Sequence, residues 1–280
     1  MKSNAITRII IFSIVIVLLL GILLTGLGIG MFIVEFEDHS LTYTTVEDSK
    51  AQVAAERITN IDIEWASGNI DILTGDTNDI IVEENGIIPD SQRMVINETG
   101  NTLTIRYEEP AFQIGFVNTI SKDLTVTVPK DWVCDTLSLD VASAKLSVQN
   151  FSAEKVDIDT ASGACTFSNC VIGELDVDTA SGTIRYEGTL QNLNCDAASG
   201  SFEGIFANVP QRMDMDSASG NLDITLPEGC GFRVTMDTLS GKFQSDFPTT
   251  SDSNSYTYGD ARCVIDFDAL SGSIRIRKAG

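Results

Sequence analysis

The side chains best suited to chemistry are carboxylates held at a fixed distance from a recurring serine. Three residues before that serine stand Glu64, Asp140, Asp159, Asp178, Asp196, Asp216, Asp237 and Asp268. Five before it stand Asp62, Asp157, Asp176, Asp214 and Asp266, with Ser138, Asn194 and Thr235 in the other copies. Residues two apart on a strand share a face, so stacked copies would line up two outward acidic columns. At about 4.8 Å between strands, each adjacent pair repels by roughly 0.9 kcal/mol even in water. Hydrogen bonds from corner amides or from Thr and Ser hydroxyls would offset this, and so would Ca²⁺, which takes several carboxylate oxygens. The ladder Asp140, Asp159, Asp178, Asp196, Asp216 and Asp237 is therefore the expected place for any weak Ca²⁺ binding. No other metal and no cofactor is expected, and no calcium loop of the Asp-x-Asp-x-Asp-Gly type is present.

Paired carboxylates also hydrolyse glycosides. Here they recur in every copy, as a ladder requires, whereas a single active site needs one copy to differ. Aromatic residues make up 7%, and Trp65 and Trp132 are far apart in sequence, so sugar platforms are missing. A single histidine, His39, leaves little for zinc or for imidazole base catalysis. None of the serines has the context of a hydrolase nucleophile. No catalytic residue is assigned, and a carbohydrate-active enzyme is the least favoured reading. With 18 basic and 40 acidic residues the net charge is −22, which would repel nucleic acid.

The carboxylates belong to a repeat, and the repeat sets the architecture. EWASGNIDI, DVASAKLSV, DTASGACTF, DTASGTIRY, DAASGSFEG, DSASGNLDI, DTLSGKFQS and DALSGSIRI are eight copies of one phrase. From Ser143 onward its serines are spaced by 19, 19, 18, 20, 21 and 31 residues. That period is too short for helix pairs and suits one coil of a β-solenoid. Four before each serine stand Ile63, Leu139, Ile158, Val177, Cys195, Met215, Met236 and Phe267, and three after stand Ile70, Leu146, Cys165, Ile184, Phe202, Leu222, Phe243 and Ile274. These apolar columns have the period of two expected for strands. Inward parity switches across the phrase, so the chain must bend or bulge at Ala-Ser-Gly.

The expected corners are Ser67-Gly68, Ser162-Gly163, Ser181-Gly182, Ser199-Gly200, Ser219-Gly220, Ser240-Gly241 and Ser271-Gly272. Glycine would supply a left-handed conformation, and the preceding Ala or Leu would fill the inside of each corner. Ala144 replaces glycine in one copy. The 76 residues from Ser67 to Ser143 equal four periods, so IIVEENG (80–86), TLTIRYE (102–108) and DLTVTVP (123–129) are candidate degenerate coils, with an insertion-rich region at 87–122. Residues 248–260 read as a protruding loop, and AQVAAERIT (51–59) as a short helix. Of six cysteines, Cys165 and Cys195 fall in core columns, while Cys230 and Cys263 belong to successive phrases and are the best-placed pair for a bridge.

Between Arg8 and Glu35 lie 26 uncharged residues, Ile9 to Val34. As a helix they would measure roughly 39 Å, enough to cross a bilayer core of about 30 Å with tilt. Lys2 and Arg8 precede the span, and Glu35, Glu37 and Asp38 follow it, which places the N-terminus in the cytoplasm. The expected organisation is a tail (1–8), a membrane helix (9–34), a stalk (35–57) and an extracytoplasmic domain (58–280). Gly26 and Gly30 have the spacing of a helix-dimer motif.

The phrase D-[TSA]-[AL]-S-G-x-φ-x-φ, with its apolar columns, resembles the bacterial β-strand-repeat family known as "putative adhesins". The resemblance covers residues 58–280 and is clearest over 135–280. It implies a β-solenoid tethered by one N-terminal helix, and it supplies no catalytic residues. The fold class expected is all-β, a solenoid of roughly 19-residue coils. The expected function is non-enzymatic adhesion or surface interaction at the cell membrane, with a cell-surface glycan, a protein or a second copy as partner. An accessory role in the cell-envelope stress response is the alternative.

Overall fold

The computed structural model describes residues 44–45, 49–86, 88, 93–107 and 122–280. The expected tail, membrane helix and most of region 87–122 lie outside the described residues. Among the described residues no helix is long and apolar enough to cross a membrane.

Strands account for nearly all the regular structure. In chain order they are β1 (Thr44–Thr45), β2 (Lys50–Ala54), β3 (Asn60–Gly75), β4 (Asp79–Asn85), β5 (Val95–Thr99), β6 (Thr102–Arg106), β7 (Asp123–Pro129) and β8 (Cys134–Gln149). There follow β9 (Ser152–Phe206), β10 (Arg212–Leu226), β11 (Phe232–Ser240), β12 (Phe243–Ser245), β13 (Thr250–Asp252), β14 (Ser255–Tyr258), β15 (Cys263–Ser271) and β16 (Ile274–Lys278). β3, β8 and β10 each run through one Ala-Ser corner without a break, and the 55 residues of β9 wind through three. Coils stack in parallel and in phrase register. Ser67 lies beside Ser143, Ser143 beside Ser162, and Ser199 beside Ser219. The inward columns form one continuous core in which Ile63, Leu139, Ile158, Val177, Met215 and Phe267 are all but fully buried. Rings fill part of it end to end, with Phe167, Tyr186 and Phe206 spaced 5.8 and 5.9 Å apart. The Tyr186 hydroxyl donates to the Thr189 carbonyl at 2.6 Å, which satisfies the one polar atom of that stack.

Several expectations need correction. The Ser67 and Ser143 coils are direct neighbours, so no intermediate coils separate them. Instead β6 and β7 form one outer coil against β3, and β4 runs antiparallel along β7. At the other end the coils leave sequence order. β15 and β16 insert between β10 and the coil of β11 and β12. The chain makes this possible through residues 248–260, which form an antiparallel β13–β14 hairpin along β11 before returning. Residues 50–57 are not a helix: β2 pairs with β4, and only Ala55–Arg57 make a single 3-10 turn. The bulky β-branched and apolar residues of this segment pack on the core edge, where Val53 and Ala55 are buried.

The corners also differ from expectation. The residue before each serine points outward, most plainly Leu239 at 79% exposure, and the residue before that turns inward, as with Trp65, Val141, Ala197 and Ala269. Two successive outward residues, Ala or Leu and then Ser, shift the parity by one, which is the action of a bulge. Only Gly68, Gly163 and Gly182 among the phrase glycines have φ in the left-handed range, at 116°, 145° and 153°. What the column shares is close approach. A Cβ on Gly182 would lie 2.2 Å from the Gly163 carbonyl oxygen, one on Gly220 2.0 Å from that of Gly200, and one on Gly272 2.1 Å from that of Gly220.

Candidate functional site

The solenoid carries two outward features that could meet a partner: the acidic ladder and the Ser-Gly corner groove. In stack order the ladder reads Glu64, Asp140, Asp159, Asp178, Asp196, Asp216, Asp268 and Asp237. Register places Glu64 beside Asp140, Asp140 beside Asp159, Asp196 beside Asp216, Asp216 beside Asp268 and Asp268 beside Asp237. The sequence located every rung, but Asp237 and Asp268 exchange places because the final coil is inserted.

Repulsion on the ladder is offset unevenly. In the column five before the serine, Lys155 reaches Asp157 and Asp176, and also Glu174 two residues further back, at 3.4–3.5 Å. Arg212 bridges Asp214 and Asp266, each at 2.8 Å. Asn194 donates to Asp176 at 2.8 Å. Arg106 meets Glu64 at the N-terminal end. In the column three before the serine, partial burial and then the neighbouring carboxylates push Asp196 up to about 7. The same causes push Asp178 and Asp268 up to about 6. Asp159 is raised for the same reasons. Thr160 and Thr179 hydroxyls do not serve the carboxylates; they donate to the carbonyls of Ser162 and Ser181 across the corner. Among the described residues no three metal-ligating side chains gather into a cluster.

The corners of the C-terminal coils enclose a shallow groove of about 620 Å³. Its floor is the glycine column Gly182, Gly200, Gly220, Gly272 and Gly241. One wall is Ser199, Ser219, Ser271 and Ser240, and the other Ser201, Asn221, Ser273 and Lys242. The second wall is structural. Ser201 Oγ accepts from the Asn221 N–H, Asn221 Oδ1 from the Ser273 N–H, and Ser273 Oγ from the Lys242 N–H. These side chains complete the main-chain ladder where each corner interrupts it. Sequence reading missed this column, although its run of Ser and Asn two residues after the phrase serine was its signal.

One further feature lay beyond sequence reasoning. Lys122 and Glu84 form an ion pair at 2.9 Å with both side chains fully buried. Lys122 Nζ sits 4.0 Å from the Tyr107 ring, while its carbonyl accepts from Trp65 Nε1 at 3.0 Å. Glu84 also accepts from the Met94 N–H. This box closes the outer coil where it lacks a Ser-Gly corner. Cys165 and Cys195 lie in the core as expected, but Cys230 and Cys263 are not bridged: all six cysteines are free and buried, and burial pushes the thiols of Cys134, Cys195 and Cys263 up to about 12, far from nucleophilic.

Stacked parallel coils with continuous outward ladders define a β-solenoid. The chain belongs to the family described as Toastrack DUF4097, whose model matches residues 58–277. Solved structures to which the chain is similar include a "putative cell adhesion protein" from Clostridium sporogenes. It is 12% identical, with 82% of this chain and 98% of that one covered, at a TM-score of 0.40. A "putative adhesin" from Bacteroides fragilis is 14% identical, with 81% and 95% covered, at a TM-score of 0.47. A "putative lipid binding protein" from Parabacteroides distasonis is 13% identical, with 82% and 95% covered, at a TM-score of 0.35. No curated protein matches the chain.

Proposed function

We propose that this chain is a membrane-anchored, extracytoplasmic surface-interaction protein without enzymatic activity, adhesin-like in the sense that its repeated outer faces bind other surfaces. One observation carries the reading: the in-register outward columns from Glu64 to Asp237 present the same chemistry in coil after coil. Such a face suits a repetitive glycan or protein, because each added coil adds an equivalent contact and affinity grows by multivalency. The uncharged run 9–34 supports the anchor, and the charges flanking it support an outward-facing domain.

The test is adhesion of cells displaying the full chain to isolated envelope material, paired with crosslinking on intact cells and capture through the chain. Binding that falls when Asp178 and Asp196 are both changed to Lys supports the reading. Equal adhesion by cells lacking the chain overturns it.

A further inference from the structure

A coil stack has four end edges, and each presents unpaired main-chain groups unless something covers it. At the N-terminal end β5 runs antiparallel along β6, and β4 along β7. At the C-terminal end β14 covers β11, and the cover continues to the Met236 N–H, which donates to the Asn254 carbonyl at 2.9 Å. β12 is different, because among the described residues it pairs only with β16. On that side the Lys242 carbonyl accepts from the Ile274 N–H, and the Asp246 N–H donates to the Ile276 carbonyl, each at 3.0 Å. Strand alternation therefore turns the N–H and C=O of Phe243 and Ser245 to the open side.

A cavity of about 460 Å³ lies against this edge. Met236, Phe243 and Tyr256 form its apolar wall, the two rings stacked at 4.0 Å. Thr238 also lines it, with a buried Oγ1 that has no hydrogen-bond partner. Lys242 stands exposed at the rim, and its ammonium has no carboxylate partner among the described residues. That is notable in a chain of net charge −22. The neighbouring rung adds a second cation, Arg275, between Gln244 on one side and Asp223 on the other.

We propose that β12 is an acceptor edge for an extended, acidic segment of a partner polypeptide. The segment adds as one strand along Phe243–Ser245, sets an apolar side chain against Met236, Phe243 and Tyr256, and places a carboxylate on Lys242. Main-chain hydrogen bonds supply the affinity, and the cavity and cation supply the selectivity. A single strand is preferred to a second coil stack because the β13–β14 hairpin carries the adjoining sheet beyond the last coil, where a whole stack would meet it. The inference names a partner class for the surface-interaction reading. Loss of strand capture with cell adhesion intact sinks this site alone, and loss of adhesion with strand capture intact sinks the adhesion reading alone.

The experiment is amide hydrogen exchange on the full-length chain in detergent, with a capped peptide of alternating valine and aspartate as probe. The Phe243 and Ser245 amides should exchange rapidly in the free chain and about tenfold or more slowly at millimolar peptide. Ser245→Pro removes an outward-facing donor and should abolish the protection. Lys242→Glu, a surface change that keeps the test open should the proline variant not fold, should weaken it about tenfold and favour a valine–lysine peptide instead. Both amides already protected in the free chain, protection that rises with chain concentration alone, or equal protection by the valine–aspartate and valine–lysine peptides in the unmutated chain would each overturn the proposal.

Discussion

Asp216 stands directly beside Asp268, not beside Asp237, although Asp237 belongs to the next phrase along the chain. The final coil has been threaded between two earlier ones, and every outward column inherits the new order. Asp196, Asp216 and Asp268 thereby become consecutive half-buried rungs, with Asp214 and Asp266 alongside.

This arrangement gives stability a definite dependence on pH. Asp178, Asp196 and Asp268 have folded-state values of about 6, 7 and 6, above the ordinary 3.8. The folded chain therefore binds more protons than the unfolded chain between pH 4 and those values, and stability falls as pH rises through them. Discounted for the solvent screening of half-exposed groups, the loss is about 1–2 kcal/mol, a drop in Tm of roughly 3–8 °C from pH 5 to pH 8. Thermal melts across that range check it, and a Tm that rises with pH would contradict it.

Asp196→Asn should raise Tm at pH 8 by removing the most strongly opposed carboxylate, and should change little at pH 5, where that group is already protonated. The gain at pH 8 should be about 1 kcal/mol. Chemical denaturation at the two pH values provides the comparison, and an equal effect at both would separate the substitution from ladder repulsion.

Ca²⁺ and Mg²⁺ at millimolar concentration should raise Tm alike at pH 8, because the ladder is a line of charge and not a cluster of ligands. The effect should fade in high salt. Calorimetry showing saturable heat for Ca²⁺ alone would instead establish a built calcium site on Asp140, Asp159, Asp178, Asp196, Asp216 or Asp237.

Gly220→Ala should cost about 2–4 kcal/mol, because the added methyl meets the Gly200 carbonyl at 2.0 Å and Ser217 Oγ at 2.8 Å. The Gly200 carbonyl belongs to main chain that has neighbours on both sides and no room to retreat. Equilibrium unfolding measures it, and a cost under 0.5 kcal/mol would show that the stack relaxes.

Lys122→Met should destabilise the N-terminal coils by about 3–5 kcal/mol, because Glu84 would be left buried and unpaired. Changing Glu84 to Met as well should restore much of the loss. Amide exchange in β3, β4 and β7 reports it directly, and a double variant no better than the single would assign the cost to lost packing on Tyr107 and Trp65.

The repeating phrase alone determined that this chain is a parallel stack of coils with acidic columns outside and apolar columns within. Strand alternation fixes which side chains are buried once the period is known, so the inward columns from Ile63 to Ile274 and every rung of the ladder were legible. What the sequence did not carry was the order in which coils meet. All phrases offer nearly the same edge, so the place of β15 between β10 and β11 is visible only in the structure, where the hairpin of residues 248–260 lies along the other edge of β11. The role of the glycines was likewise settled only in three dimensions. Their need arises from a carbonyl one coil away, and a distance between coils has no expression in a single strand's pattern.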